Sequence, residues 1–291
     1  MWQFNSAIKD IDEMSTLELV ELFNNEDKKV AAAVQADMQS IAQAIDAITE
    51  VLAAGGRMIY IGSGTAGKMG VMDASECPPT FGVADDLISG IVSGGTPAVI
   101  GWCEDTEDDE NLSIQDLLAK KVMARDIVVG VSASGNTPYV LSAMKFARQQ
   151  GVKTIGVCCS PQGVLTMIAD IAITVDVGPE VILGSTRLKA GTAQKMVLNM
   201  LSSCAMIKLG KTYGNRMVDV RPINAKLKQR VLDIIQDIAG CDARRAQQAL
   251  EQTGGNTKAA ILMLLTGSDA AGALGLLEKH KGYLKKAIKD D

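Results

Sequence analysis

Histidine is almost missing from this 291-residue chain: the single residue, His280, lies near a Lys-rich C-terminal end. A His-based triad, a His-rich metal site or a His general base would have to use that one residue. Its setting reads instead as a surface position on a terminal helix. Acid–base chemistry is therefore left to Glu, Asp, Lys, Tyr or Cys. The six cysteines (Cys77, Cys103, Cys158, Cys159, Cys204, Cys241) fall at irregular spacings without a CxxC pair. Neither a zinc site nor a disulfide framework is indicated, no metal is expected, and buried free thiols are.

Long apolar runs are also lacking, since nowhere do about 18 apolar residues pass without a charge or a turn signal. The first twelve residues carry Lys9, Asp10 and Asp12 and no apolar block, so a cytoplasmic chain with no membrane partner is expected. There is no block of Lys or Arg, and the formal charge is −5, which argues against nucleic acid or anionic lipid as a partner. A small anionic substrate stays open, because local dipoles can bind it.

What is present is a composition of 47% apolar and 22% charged residues, enough for a sizeable core. Ser15-Thr16-Leu17-Glu18 has the form of a capping box and predicts a short helix toward Phe23. A second helix is predicted from the apolar stripe Val30, Val34, Met38, Ile41, Ile45, Ile48 and Leu52, ending at Gly55-Gly56. Five β-rich runs follow, at 58–61, 87–93, 126–132, 153–159 and 171–177, with candidate helices at about 67–74, 111–121, 138–149 and 162–169. This alternation predicts an α/β domain with a five-stranded parallel sheet flanked by helices. A helix after Gly191 leads to Gly210, and a small all-helical C-terminal domain is predicted with helices at 230–239, 242–253, 256–266 and 268–288. The domain reading is 1–55 for an N-terminal helical segment, 56–223 for the α/β domain and 224–291 for the helical tail. Cys241–Gly267 in that tail resembles the ubiquitin-associated fold, which implies an assembly or interaction module.

Two loops are rich in glycine and hydroxyls. Gly62-Ser63-Gly64-Thr65-Ala66-Gly67-Lys68-Met69 closes the first strand, where glycines let backbone approach a phosphate at a helix N-terminus. As a dinucleotide fingerprint it fails, because the second strand ends at Ser93-Gly94-Gly95 without an acid for a ribose hydroxyl. As a Walker A loop it fails at Met69, where a Mg²⁺-binding hydroxyl belongs. Ser132-Ala133-Ser134-Gly135-Asn136-Thr137-Pro138, an SxSGxT pattern after the third strand, can ring a phosphomonoester with hydroxyls and N–H groups and needs neither metal nor arginine.

The pattern SxSGxT after a central strand resembles the sugar isomerase (SIS) family of phosphosugar-binding domains. Asp73-Ala74-Ser75-Glu76-Cys77-Pro78-Pro79-Thr80-Phe81, Gly178-Pro179-Glu180 and Gly184-Ser185-Thr186-Arg187-Leu188-Lys189-Ala190-Gly191-Thr192-Ala193-Gln194-Lys195 closely resemble the N-acetylmuramic acid 6-phosphate etherases, with similarity from about Ile11 to the C-terminus. The resemblance implies a lyase of cell-wall amino-sugar recycling that removes D-lactate from C3 of a phosphosugar by elimination and hydration, without a cofactor, in a homodimer. It implies Ser63, Thr65, Ser132, Ser134, Gly135 and Thr137 as phosphosugar ligands, with Lys189 as the nearby cation. Arg187 and Lys195 read as structural ion-pair partners. The resemblance also implies Glu76 as the acid that protonates the leaving lactate and Glu107 as the base at C2, with the two roles open to exchange and Glu104 as the fallback for Glu107. By composition alone Glu76 is a helix-end surface carboxylate, and Glu107 is one of six acids in the solvated run Glu104–Glu110. The chain departs from the etherase pattern at Ala66, Lys68, Asn136 and Leu183, where Ser, Arg, Arg and a hydroxyl residue are usual. Lys68 keeps a charge there but not the bidentate fork of Arg.

Rival readings are a sugar-phosphate sensor like the glucokinase regulatory protein, an aldose–ketose isomerase and a nucleotide-dependent enzyme. The first carries two tandem SIS domains in a chain about twice as long. The Asp73–Phe81 segment argues against the second, and the two failed motif contexts weaken the third.

Overall fold

The structure, a computed structural model, describes residues 8–101 and 106–290. The chain divides into two compact units. Among the described residues, one unit holds those up to Ser75 together with those from Asp86 to Cys204, and the other holds Glu76–Asp85 and those from Ala205 onward.

The first unit is built on a parallel sheet of β1 (Met58–Gly62), β2 (Ile88–Val92), β3 (Ile127–Val131), β4 (Lys153–Cys158) and β5 (Ile171–Thr174), in the order β2-β1-β3-β4-β5. Tyr60 pairs with Gly90 on one side and Val129 on the other, so β1 lies between β2 and β3. Every residue of β1 and β3 is buried, as expected of parallel strands flanked by helices. The helices are α1 (Thr16–Ala36), α2 (Met38–Ala53), α3 (Gly64–Phe81), α4 (Gly95–Ile100), α5 (Glu110–Ala119), α6 (Pro138–Gln149), α7 (Leu165–Ile168) and α8 (Lys189–Lys208), of which α3 and α8 continue into the second unit.

The Ser15 capping box forms, but the helix it opens runs to Ala36 rather than ending near Phe23, and α2 starts only at Met38. The break falls at Asp37, whose carboxylate accepts from Ser40 Oγ at 2.5 Å and from the backbone N–H of Thr174 at 2.6 Å. The apolar stripe passes through this junction unbroken, so its periodicity carries no sign of the break. Helix α3 also outruns its expected end near residue 74, because Pro78 and Pro79 lie in its final turn. There they remove two helical donors without displacing the turns before them.

Close approach fixes α3 on the sheet. A Cβ at Gly67 would sit 2.6 Å from the Gly62 carbonyl oxygen, and one at Gly70 would sit 2.8 Å from Tyr60 Cβ. Behind the strand, Tyr60 donates its hydroxyl to Asp73 at 2.9 Å, and Ser202 of α8 donates to the other carboxylate oxygen at 3.1 Å. This buried network ties β1, α3 and α8 together. Burial raises the Asp73 carboxyl above the usual aspartate range, against the hydrogen bonds from Tyr60 and Ser202.

The second unit contains α9 (Ala225–Ala239), α10 (Ala243–Gln252), α11 (Thr257–Thr266), α12 (Ala270–Lys279) and α13 (Leu284–Lys289) around Ile235, Ile261, Leu262, Leu277 and Leu284. Asn224, Asp242, Asn256 and Asp269 each cap a helix by accepting an N–H three residues on. The single helix expected over 268–288 is two, interrupted where Lys281 and Gly282 take positive φ values of 52° and 78°. The tail of α3 joins this unit through Pro79, whose carbonyl accepts from Arg221 N at 3.1 Å.

Candidate active site

The strand order reverses at β1, since β2 lies on one side of it and β3 on the other. Loops leaving the carboxyl ends of β1 and β3 therefore diverge, and the crevice between them is where a doubly wound sheet binds its ligand. A cavity of about 320 Å³ occupies that place. Its lining comprises Ser63–Ala66 after β1, Ser132–Ser134 and Thr137 after β3, and Glu107, Gly184, Thr186 and Gln194.

Each loop presents donors for a local reason. Gly64 opens α3 with φ 53°, so Gly64, Thr65 and Ala66 form its first turn, where backbone N–H groups have no helical acceptor. Ser63 Oγ is held 2.6 Å from Ser93 Oγ at the end of β2, and Thr106 Oγ1 donates to the same Ser93 oxygen at 3.1 Å. In the second loop Gly135 turns the chain with φ 69°, and its N–H donates to Ser132 Oγ at 3.0 Å. A Cβ there would meet Gly163 Cα at 2.8 Å, so the turn accepts glycine alone.

Glu107 is aimed by this second turn. Thr137 Oγ1 donates to Glu107 Oε1 at 3.3 Å and lies 2.8 Å from Ser132 Oγ. Because the Thr137 proton points at the carboxylate, Ser132 must donate to Thr137, giving a polarised chain from Gly135 N–H through both hydroxyls to Glu107. The backbone is pinned as well, since Tyr139 in the first turn of α6 donates its N–H to the Glu107 carbonyl at 3.0 Å. Among the described residues that line the cavity, Glu107 carries the one charge and there is no cation. A phosphate here would be held by N–H groups and hydroxyls.

Of the residues expected in the site, Ser63, Thr65, Ser132, Ser134, Thr137 and Glu107 line one cavity, and Gly135 shapes it. Glu76 stands exposed near the end of α3 and is not in the lining. Lys189 is not in the lining either: it is 2% exposed, and its ammonium donates to Glu26 Oε2 at 2.7 Å. Burial opposes the charge on Glu26, but hydrogen bonds and charge from Lys189 and Lys29 hold its carboxyl below the usual glutamate range. Glu104 and Cys103 lie outside the described residues. Among the described residues no group of three His, Cys, Asp or Glu is placed to hold a metal ion.

Sequence reasoning gave no role in the site to Ser93, Glu26, Glu180 or Gln194. Glu180 caps α8, accepting from Lys189 N at 3.0 Å and Ala190 N at 2.9 Å. Ser93 could have been found as the hydroxyl directly after β2, the strand beside β1.

Comparison with known proteins agrees with this fold. A model described as the SIS domain matches residues 110–203, and one described as the glucokinase regulatory protein N-terminal SIS domain matches residues 40–148. A curated N-acetylmuramic acid 6-phosphate etherase of Serratia proteamaculans (strain 568) is 50% identical over 284 residues, covering 98% of this chain and 96% of that protein. One of Vibrio vulnificus (strain YJ016) is 48% identical over 286 residues, covering 98% and 95%. The chain belongs to the N-acetylmuramic acid 6-phosphate etherase family.

The SIS fold of this etherase-family chain extends to distant structures. A phosphoheptose isomerase from Francisella tularensis matches with a TM-score of 0.51 at 17% identity, covering 67% of this chain and all of that one. The four departures from the etherase pattern separate physically. Ala66 lines the cavity without a hydroxyl, whereas Lys68 donates to the Gly101 carbonyl at 2.9 Å. Asn136 braces the second turn by accepting from Val164 N at 3.0 Å, and Leu183 is exposed.

Proposed function

We propose that this etherase-family chain cleaves the D-lactyl ether of N-acetylmuramic acid 6-phosphate, giving N-acetylglucosamine 6-phosphate and D-lactate in cell-wall amino-sugar catabolism. The observation that carries the reading is a hydroxyl- and N–H-lined cavity at the sheet's switch point, with a braced carboxylate, in a chain about half identical to named etherases over 98% of its length. The sensor reading is not favoured, because relatives covering 98% of the chain are etherases.

An ether resists displacement, so elimination is the easier route. Ring opening exposes the C1 aldehyde, which acidifies the C2 proton. Glu107 removes that proton, the C3–O bond breaks, and the departing lactate oxygen takes a proton from Glu76. Water then adds across C2=C3, with hydroxide to C3 and a proton to C2, and the sugar phosphate is restored with the hydroxyl in place of the ether. Glu107 is assigned as base because it lines the cavity with a hydroxyl donor on its carboxylate. Glu76 is assigned as acid on the likeness of its segment to the etherases. The phosphate is assigned to Ser63, Thr65, Ser132, Ser134, Gly135 and Thr137. We further propose a homodimer in the cytoplasm, on the family resemblance, with the dimer testable by light scattering.

D-lactate release in EDTA tests the reaction: release from the phosphorylated sugar and none from the unphosphorylated one is expected, and failure with the phosphorylated sugar refutes it. The carboxylate roles are separated in D₂O. Glu107→Gln should stop both C2 deuterium exchange and lactate release. Glu76→Gln should stop lactate release while the C2 exchange continues, and the opposite pattern would exchange the roles.

A further inference from the structure

We propose that Gln194 is a binding residue of the phosphosugar, donating its side-chain amide to an acceptor oxygen of the substrate. The inference deepens the etherase reading and rests on it.

Helix α8 reaches over the carboxyl end of the sheet. Cys159, directly after β4, donates its thiol to the Ala190 carbonyl at 3.7 Å, while a Cβ on Gly191 would lie 3.3 Å from the Thr65 methyl after β1. Since β3 lies between β1 and β4, the first turn of α8 spans the end of β3, where the Ser132–Thr137 turn sits. Gln194 follows Gly191 by three residues and Ala190 by four, so it shares their face, and it lines the cavity.

The other donors at this end of α8 are satisfied. The N–H groups of Lys189 and Ala190 bond to Glu180, and the Lys189 ammonium bonds to Glu26. Gln194 is 1% exposed, and among the described residues its Nε2 has no hydrogen-bond partner. A buried amide nitrogen without an acceptor is unfavourable, and buried polar groups in folded proteins are almost always paired. The missing partner is an acceptor, and among the described residues the cavity beside it is lined by Glu107 as its one charged group and by no cation. A phosphate oxygen, a sugar hydroxyl or the N-acetyl carbonyl would satisfy Nε2, so both the protein and a dianion short of positive charge gain from the contact.

The test is Gln194→Met, which keeps the volume and removes the amide, together with Gln194→Glu, which keeps the shape and replaces the donor with an acceptor. Each is compared with the wild type by thermal unfolding without ligand, by binding of N-acetylglucosamine 6-phosphate and of inorganic phosphate, and by KM and kcat for lactate release. Gln194→Met should unfold at the same temperature as the wild type or higher, because it deletes an unpaired polar group. Its affinity for the sugar phosphate should fall about five- to fifty-fold, with KM rising more than kcat falls. Loss shared with inorganic phosphate makes the acceptor a phosphate oxygen, and loss confined to the sugar phosphate makes it a sugar oxygen. Wild-type affinity in both variants refutes the proposal, as does an unfolding temperature that falls while affinity is kept. A wild-type protein that fails to bind the sugar phosphate instead refutes the etherase reading beneath it.

Discussion

The resemblance to the etherases makes Lys189 a substrate cation, whereas the structure makes it half of a buried ion pair, and the two roles separate experimentally. The side chains of Lys189 and Glu26 are 2% and 9% exposed, with Nζ and Oε2 2.7 Å apart across 163 positions of sequence. Removing one partner of such a pair leaves the other charge buried and costs about 3–5 kcal/mol. Against a total of about 5–15 kcal/mol for a domain, that is a large share and corresponds to a fall of roughly 10 °C in Tm. Lys29 also bonds Glu26, but it is 61% exposed and contributes little. Glu26→Ala and Lys189→Met should each show this loss. The double variant Glu26→Leu with Lys189→Met should recover to within about 2 kcal/mol of the wild type, because both charges vanish together. KM for the phosphosugar, measured on whatever remains folded, should change by less than about threefold in the double variant, since the reasoning assigns Lys189 no contact with the substrate. A tenfold rise in KM there, without recovery of Tm, would restore Lys189 to the substrate and refute the ion-pair account.

The turn after β3 offers a second perturbation. Gly135→Ala forces a Cβ into left-handed backbone and within 2.8 Å of Gly163 Cα, so a loss of at least about 2 kcal/mol in urea unfolding is expected, with weakened phosphosugar binding. At the opposite end of the sheet, burial of Asp126 works to raise its pKa but is outweighed by the Arg57 hydrogen bond and charge and by the Met123 N–H, so its carboxyl lies below the usual range. A depressed folded value means that stability is present above the unfolded pKa of about 4 and is lost as pH falls through the folded value. Asp126→Asn should therefore be less stable at pH 7 and show a flatter acid limb in Tm against pH. An acid limb unchanged from the wild type would refute it.

The sheet was legible because its strands are short apolar runs and its turns are built from glycine and hydroxyls, signals that act within a few residues of chain. The cavity-forming loops were legible for the same reason, whereas the switch point that joins them depends on the strand order, which the handedness of βαβ connections does not fix. The groups that brace the site were harder to see, because their partners lie far away in sequence. They nevertheless share a signal. Glu26 precedes Val30 and Val34 by four and eight residues, which places a carboxylate on the buried stripe of α1. Gln194 stands among Ala190, Ala193, Val197, Leu198 and Leu201, all buried on α8. A polar residue at an apolar position of an amphipathic helix is costly without a partner, so its presence demands one elsewhere in the fold. For Glu26 the partner is Lys189, and the demand is met within the protein. For Gln194 no partner is found among the described residues, and by the same rule we propose that the substrate in the adjoining cavity supplies it.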